Sequence, residues 1–232
     1  MRSDAIDIVN GFQFVPGSNY IDGINEVEYL RFAYFYDAQV KQDPYSPVRD
    51  RAMIKILYHR QTGQVELNPV QTHFQSYGAN DTDGGRMRVF PPIDPSVLGD
   101  KVFRHVFQCD TTYIDKYCDT IGAASANISV HFIRYKAEAG GASFSSPVWL
   151  HVDDEPLVFI HLIQLTKNAI GADSVISEMD SKPKNVLRLS DPLDTLIVDR
   201  MKKHAVTPLG STGGIAYRDV MLVSLEAEVQ QK

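Results

Sequence analysis

Helical spacing of apolar residues marks two segments in the first half of the chain. Within residues 22–40 the apolar side chains recur every three or four positions, as expected for a helix with one buried face. Asp22 is placed to cap the start of this helix, and Asp43-Pro44 is placed to stop it. Residues 94–120 have a similar pattern, so we predict a second, mostly helical segment there.

Short alternating or apolar runs, typical of strands, make up most of the remainder. In the first half they occupy residues 4–14, 51–58 and 65–67. In the second half we predict strands over residues 129–136, 149–153, 157–165, 171–176, 186–189, 195–199, 204–207 and 219–226. About eight short strands separated by turns favour a jelly roll or a related double sheet.

The pattern therefore predicts a mainly β fold with bracing helices, arranged as one domain over residues 1–232. A helix-rich part would cover about residues 1–125, and a jelly-roll core about residues 126–228.

Composition narrows the classes of function. The chain has 232 residues, is 44% hydrophobic and carries a net charge of −6, which suits a globular domain and disfavours nucleic-acid binding. We find neither an apolar run long enough to span a membrane nor the apolar core of a signal peptide. With two cysteines only, Cys109 and Cys118, free thiols in the cytoplasm are expected. The oligomeric state stays open.

The segment around His151 carries the main chemical signal. Residues i and i+2 of a strand point to the same side, so His151 and Asp153 would converge on one face about 7 Å apart. An imidazole and a carboxylate placed in this way can bind one metal ion. Asp154 competes for the carboxylate role, although the strand period places it on the opposite side.

Two further residues complete a constellation. His204 is the best third ligand among the seven histidines, because the others lie in polar segments, on a predicted helix or in apolar strands. Two histidines and one carboxylate are typical of non-haem Fe(II) oxygenases. Arg218 opens an apolar strand, where a carboxylate ligand would offset the cost of burying its charge.

These neighbourhoods together resemble the bacterial L-isoleucine dioxygenase group, which are Fe(II)- and 2-oxoglutarate-dependent hydroxylases of free amino acids. The resemblance is dense from about residue 134 to residue 223 and looser at Gly84-Gly85-Arg86-x-Arg88. It implies a double-stranded β-helix (jelly roll, cupin-like), iron on His151, Asp153 and His204, and 2-oxoglutarate held by Arg218 with help from the Thr207 hydroxyl.

The same resemblance implies hydroxylation of a free aliphatic amino acid, coupled to decarboxylation of 2-oxoglutarate to succinate, but not which amino acid, since members of the group differ in it. From an apolar side-chain wall near the iron ligands we expect Ile, Leu, Val or Met. Fe(II), 2-oxoglutarate and O₂ would be required, and ascorbate would stimulate. For the amino acid we expect Arg88, Arg134 and Tyr135 near the carboxylate, Asp154 on the ammonium, and Trp149 with its neighbours Leu157 and Phe159 as the apolar wall. The alternatives are a substrate that is N-acylated or peptide-bound, another metal-dependent jelly-roll enzyme, and a non-catalytic jelly-roll binding protein.

Overall fold

The computed structural model describes residues 10–145 and 147–226, and within them it contains three α-helices and fifteen strands. The helices are α1 (Ser18–Ile21), α2 (Glu26–Gln39) and α3 (Lys101–Ile121), with a 3₁₀ helix over Pro95–Gly99 before α3. The strands are β1 (Phe12–Val15), β2 (Lys41–Gln42), β3 (Arg49–His59), β4 (Gln64–Leu67), β5 (His73–Gln75), β6 (Arg86–Arg88), β7 (Ser125–Ala137), β8 (Leu157–Leu165), β9 (Ala169–Gly171), β10 (Ser174–Ser177), β11 (Pro183–Leu187), β12 (Thr195–Asp199), β13 (Lys203–Val206), β14 (Leu209–Ser211) and β15 (Ala216–Leu225).

Two layers of antiparallel strands form the jelly roll. The major sheet has eight strands in the order β1-β12-β8-β15-β7-β3-β2, with β4 paired to β3. Facing it are a three-stranded sheet, β11-β10-β13, and the pair β9-β14, while β5 and β6 form a separate hairpin. The expected mainly β, jelly-roll architecture is confirmed.

The two faces of the major sheet have different partners because successive side chains alternate across a strand. On the outer face, Phe132 of β7 stacks on Tyr36 of α2 at 4.5 Å between ring centroids, within the core beneath α2 and α3. On the inner face, Ile133 of β7 packs with Val158 and Ile176 in a second core between the sheets. The helices thus brace one face, and the other face is free to build a site.

The helix predictions are confirmed in position, with shifted ends. Helix α2 begins at Glu26 because Asn25 makes a capping box with Glu28, so Asp22 is not its cap. Helix α3 begins after Asp100, whose side chain accepts from the amides of Val102 and Phe103.

Three strand predictions need correction or restriction. Residues 149–153 form no strand; only His151 pairs, in one antiparallel bridge to His204. Prolines at 147 and 156 lack the amide hydrogens that a longer ladder would use. The run 171–176 is divided into β9 and β10, because Ala172 has a positive φ of 60°. Of the predicted strand 4–14, residues 4–9 lie outside the described part of the chain.

The single domain over residues 1–232 stays a prediction. The part before residue 125 is not only helical, since β1 to β4 join the major sheet. In the described residues, no helix is long and apolar enough to cross a membrane.

Candidate metal centre

A cavity of about 680 Å³, partly open to solvent, lies between the two layers of strands. Its floor is the inner face of the major sheet, and its roof carries His204 and Val206 of β13. The loop before β8 contributes His151 and Asp153 at one side.

Backbone pairing between this loop and β13 brings the two histidines together. The His151 amide donates to the His204 carbonyl at 3.1 Å, and the His204 amide donates to the His151 carbonyl at 2.9 Å. The two rings are 4.4 Å apart. Asp153 lies between them, with one carboxylate oxygen 3.5 Å from His151 Nε2 and the other 3.3 Å from His204 Nε2.

This arrangement prepares three donor atoms for one cation, since they all lie within 4.8 Å of one another. His151 Nδ1 lies 2.8 Å from the Trp149 carbonyl, to which its N–H donates, so Nε2 is left with its lone pair toward the cavity. Burial lowers the pKa of His204 to about 4, which keeps that ring neutral. Burial opposes ionisation of Asp153, but the two imidazoles outweigh it and hold the pKa of this carboxyl below its ordinary value.

A second pocket, continuous with the first, contains Arg218. Its guanidinium is 2% exposed, and its Nη2 has no hydrogen-bond partner in the described residues. Thr207, which lines the same pocket, accepts from the Asp173 amide at 2.9 Å through its hydroxyl oxygen. The Thr207 hydroxyl proton is therefore available to an acceptor beside Arg218.

Comparison with known proteins identifies the family of this chain. Residues 36–224 match the family model described as 2OG-Fe dioxygenase. The chain belongs to this family. A curated relative from Pantoea ananatis, 3(1)-hydroxy-L-isoleucine 4-dioxygenase, is 32% identical over 93% of this chain and 92% of its own length. The L-isoleucine-4-hydroxylase of Bacillus thuringiensis is 36% identical over 80% and 78%.

A solved structure resembles the whole fold of this dioxygenase. The crystal structure of IDO from Bacillus thuringiensis aligns with a TM-score of 0.82 and 28% identity, covering 97% of each chain. The protein is thus a 2-oxoglutarate-dependent iron dioxygenase, and the family implies Fe(II), 2-oxoglutarate and O₂.

The residues present fit those groups. Two imidazoles and one carboxylate are a donor set for Fe(II) that leaves positions free for other ligands. The buried, unpartnered Nη2 of Arg218 and the free hydroxyl proton of Thr207 fit a carboxylate such as the distal one of 2-oxoglutarate.

Asp154 does not enter the cavity, contrary to expectation. Its two oxygens accept from Ser76, one from the amide at 2.5 Å and one from the hydroxyl at 2.7 Å. Ser76 thus holds both carboxylate oxygens outside the cavity, and Asp154 is not placed to bind the ammonium of a substrate inside it.

Arg134 is also placed elsewhere, although Tyr135 beside it does line the cavity. The Arg134 guanidinium donates to both oxygens of Asp219, at 2.8 and 2.7 Å, and to Asp37 of α2 at 2.6 Å. In the register, Arg134 lies opposite Asp219 and Tyr135 lies opposite Arg218. Because Arg218 faces the cavity, alternation directs the Arg134–Asp219 pair to the helix side.

The expected apolar wall is also shifted. Trp149 is 56% exposed and does not line the cavity, although its carbonyl orients His151. Leu157 and Phe159 pack in the core under the helices, and Val158 and Ile160 line the cavity in their place. The prediction rested on closeness in sequence to His151 and Asp153, which does not determine the face of β8 to which a side chain points.

Arg88 is 1% exposed and does not itself line the cavity. Its Nη2 donates to the side-chain carbonyl of Gln75, which does. Three further lining residues with polar or charged side chains, Gln75, Arg49 and Arg51, were not predicted from the sequence either. Two arginines at positions i and i+2, on one face of the start of β3, were the signal that could have identified the latter pair.

Proposed function

We propose that this dioxygenase hydroxylates the side chain of a free aliphatic L-amino acid and converts 2-oxoglutarate to succinate and CO₂. His151, Asp153 and His204 hold the iron, and Arg218 with Thr207 holds the distal carboxylate of 2-oxoglutarate. One observation carries the proposal. Three potential metal ligands, His151, Asp153 and His204, and a buried arginine with an unpartnered donor all line a single cavity.

The wall of the cavity supports an aliphatic substrate. The inner face of the major sheet contributes five branched apolar side chains from β7, β8 and β15 to the cavity: Ile133, Val158, Ile160, Val220 and Leu222. Relatives named for isoleucine and hydroxy-isoleucine point in the same direction. One methylene changes discrimination by only about 1–3 kcal/mol, so we expect several of Ile, Leu, Val and Met to react.

Bound iron would supply the activation of O₂ that oxidation of an aliphatic C–H bond requires. The protein chain positions the metal ligands and encloses the substrate side chain. The hydrogen bond to the Trp149 carbonyl directs His151 Nε2 toward the cavity. The Asp153 carboxylate lies between the two histidine rings and places its negative charge beside both Nε2 atoms. The two layers of strands enclose the reacting side chain on two sides and so limit its contact with water.

The partner is a small molecule, and we propose a cytoplasmic protein that binds neither nucleic acid nor membrane. Ascorbate should stimulate turnover by keeping the metal reduced.

The test is a screen of free L-amino acids with Fe(II), ascorbate and 2-oxoglutarate. Succinate release that depends on both the amino acid and 2-oxoglutarate, with a product heavier by one oxygen, would support the proposal. Turnover of N-acetyl-leucine or a leucyl peptide at the rate of the free amino acid would assign the enzyme to acylated or peptide-bound substrates. Ligand binding without succinate release would indicate a non-catalytic protein.

A further inference from the structure

Two arginines of β3 lie at the edge of the cavity, where the sequence alone indicated no site. Arg49 and Arg51 are two residues apart, so both side chains leave the inner face of the strand. They line the same cavity as His151, Asp153 and His204, although they are only 3% and 7% exposed.

Each guanidinium is anchored by side chains other than the candidate metal ligands. Arg49 donates from Nε to Asp43 at 2.5 Å, and its buried Nη2 has no partner in the described residues. Arg51 donates from Nη2 and Nε to His131 Nδ1 at 3.0 and 3.3 Å, and its guanidinium lies 3.9 Å from the Phe90 ring centroid. Burial and the neighbouring cations hold the pKa of His131 well below its ordinary value, so this ring is neutral and can accept. Both arginines are therefore fixed before any ligand arrives.

The cluster has more positive than negative charge. Arg88 is a third buried guanidinium, directed to Gln75 rather than to a carboxylate. Among residues 10–145 and 147–226, Asp43 is the one carboxylate that forms an ion pair with any of the three. Burial, together with the charges of Arg49 and Arg88, lowers the pKa of Arg51 to about 9. An anion bound here would offset the repulsion among the three guanidinium groups and accept a hydrogen bond from the unpartnered Nη2 of Arg49.

The position of this cluster separates it from the 2-oxoglutarate pocket. In the register, Arg49 lies opposite Tyr135, and Tyr135 lies opposite Arg218 on the next strand. Two strand spacings of about 4.8 Å place the two arginines about 10 Å apart at the backbone. Tyr135 lies between them in the register, so Arg49 and Arg218 leave the sheet on opposite sides of this residue.

We infer that Arg49 and Arg51 bind the α-carboxylate of the amino acid substrate, with Arg88 positioning Gln75 beside them. This inference rests on the proposed function and adds the residues that recognise the substrate. The aliphatic side chain then extends from β3 over Ile133 toward the metal centre. The enzyme should accordingly select against derivatives whose carboxylate is capped, even when their side chain and ammonium are unchanged.

The first experiment needs no variant. The holoenzyme with Fe(II) and 2-oxoglutarate is given L-isoleucine, or the amino acid that the screen identifies, and in parallel its amide and methyl ester. Loss of charge-assisted hydrogen bonds should lower kcat/KM for both derivatives by about 100-fold or more. Equal turnover of acid and amide would overturn the inference and leave the proposed function intact. No turnover of any free amino acid would overturn both.

The variants test which residues are responsible. Arg49→Gln and Arg51→Gln should each raise the amino acid KM by about 10- to 100-fold, leave the 2-oxoglutarate KM within about threefold, and reduce the preference for acid over amide. Because Arg49→Gln leaves Asp43 buried without its partner, Asp43→Asn/Arg49→Gln is prepared as a second variant with neutral side chains at both positions. Arg86→Gln, at a half-exposed arginine of β6, is the matched control and should behave as the wild type. Unchanged amino acid KM in the Arg49 and Arg51 variants, or equal increases in both KM values, would overturn the inference.

Discussion

Replacement of Arg218 by lysine and by methionine tests the 2-oxoglutarate site most directly. Arg218 is 2% exposed, with a donor that has no partner in the described residues, so its charge is costly until a ligand binds. Lysine keeps the charge but replaces the two-pronged fork with a single ammonium. Methionine keeps much of the volume and removes both charge and donors.

The magnitude follows from the hydrogen bonds that are lost. A hydrogen bond to a charged group contributes about 1.5–3 kcal/mol, and each 1.4 kcal/mol corresponds to about tenfold in affinity. Arg218→Lys, which loses one bond of the pair, should raise the 2-oxoglutarate KM by about 10- to 100-fold. Arg218→Met loses both and should raise it by at least about 100-fold. The KM for the amino acid should change little, because Arg218 lies about 10 Å from Arg49 at the backbone.

Although Arg218→Met should weaken 2-oxoglutarate binding, the same reasoning predicts that it makes the ligand-free protein more stable. Without ligand, Arg218→Met removes an unsatisfied buried donor that costs about 1–3 kcal/mol. For a chain of this size the melting temperature should rise by about 2–10 °C. With Mn²⁺ in place of Fe²⁺ to prevent turnover, 2-oxoglutarate at about 100 times its Kd should stabilise the wild type by about 2.7 kcal/mol and Arg218→Met hardly at all.

Steady-state kinetics with 2-oxoglutarate varied, together with thermal unfolding with and without ligand, measures all of these effects. An unchanged 2-oxoglutarate KM in both variants would refute the assignment of Arg218. A ligand-free Arg218→Met protein that melts below the wild type would show that the arginine is satisfied in the absence of ligand, contrary to the structure.

Further outcomes are expected elsewhere in the molecule. Asp153→Ala should lose bound metal and activity, while Asp154→Ala should retain stoichiometric metal by elemental analysis; the reverse result would transfer the ligand role to Asp154. Asp110→Asn should lower the free energy of unfolding by about 3–5 kcal/mol in denaturant titration, because its carboxylate is buried against His161 at 3.0 Å. A loss below about 1 kcal/mol would mean that the buried hydrogen bonds of Asp110 with His161 and Tyr20 contribute little to stability. Burial and the charge of Asp110 raise the pKa of Cys109 to about 11. Its reaction with a thiol reagent at pH 8 should therefore be about 100-fold slower than that of a free thiol, and the rate should increase about tenfold per pH unit up to that pKa. A rate equal to that of glutathione would contradict this.

Some features of this protein follow from local sequence. The helical period determined α2 and α3, and the spacing of strands and turns determined the jelly roll. The candidate iron ligands were identifiable because His151 and Asp153 are two residues apart and His204 is the remaining suitable histidine. Arg218 was identifiable because a buried charge in a mainly apolar strand needs a partner.

Other features were decided only by the tertiary structure. Period 2 divides a strand into two faces, but it does not say which face meets the cavity. Arg134 was expected at the substrate and pairs with Asp219 under α2, whereas Arg49 and Arg51 were overlooked and face the metal centre. The register of β3, β7 and β15 decides this, and it pairs residues that are 66 to 97 positions apart in the sequence. Such pairings are selected by how well both faces of the whole sheet pack at once, and no local stretch of sequence contains that information.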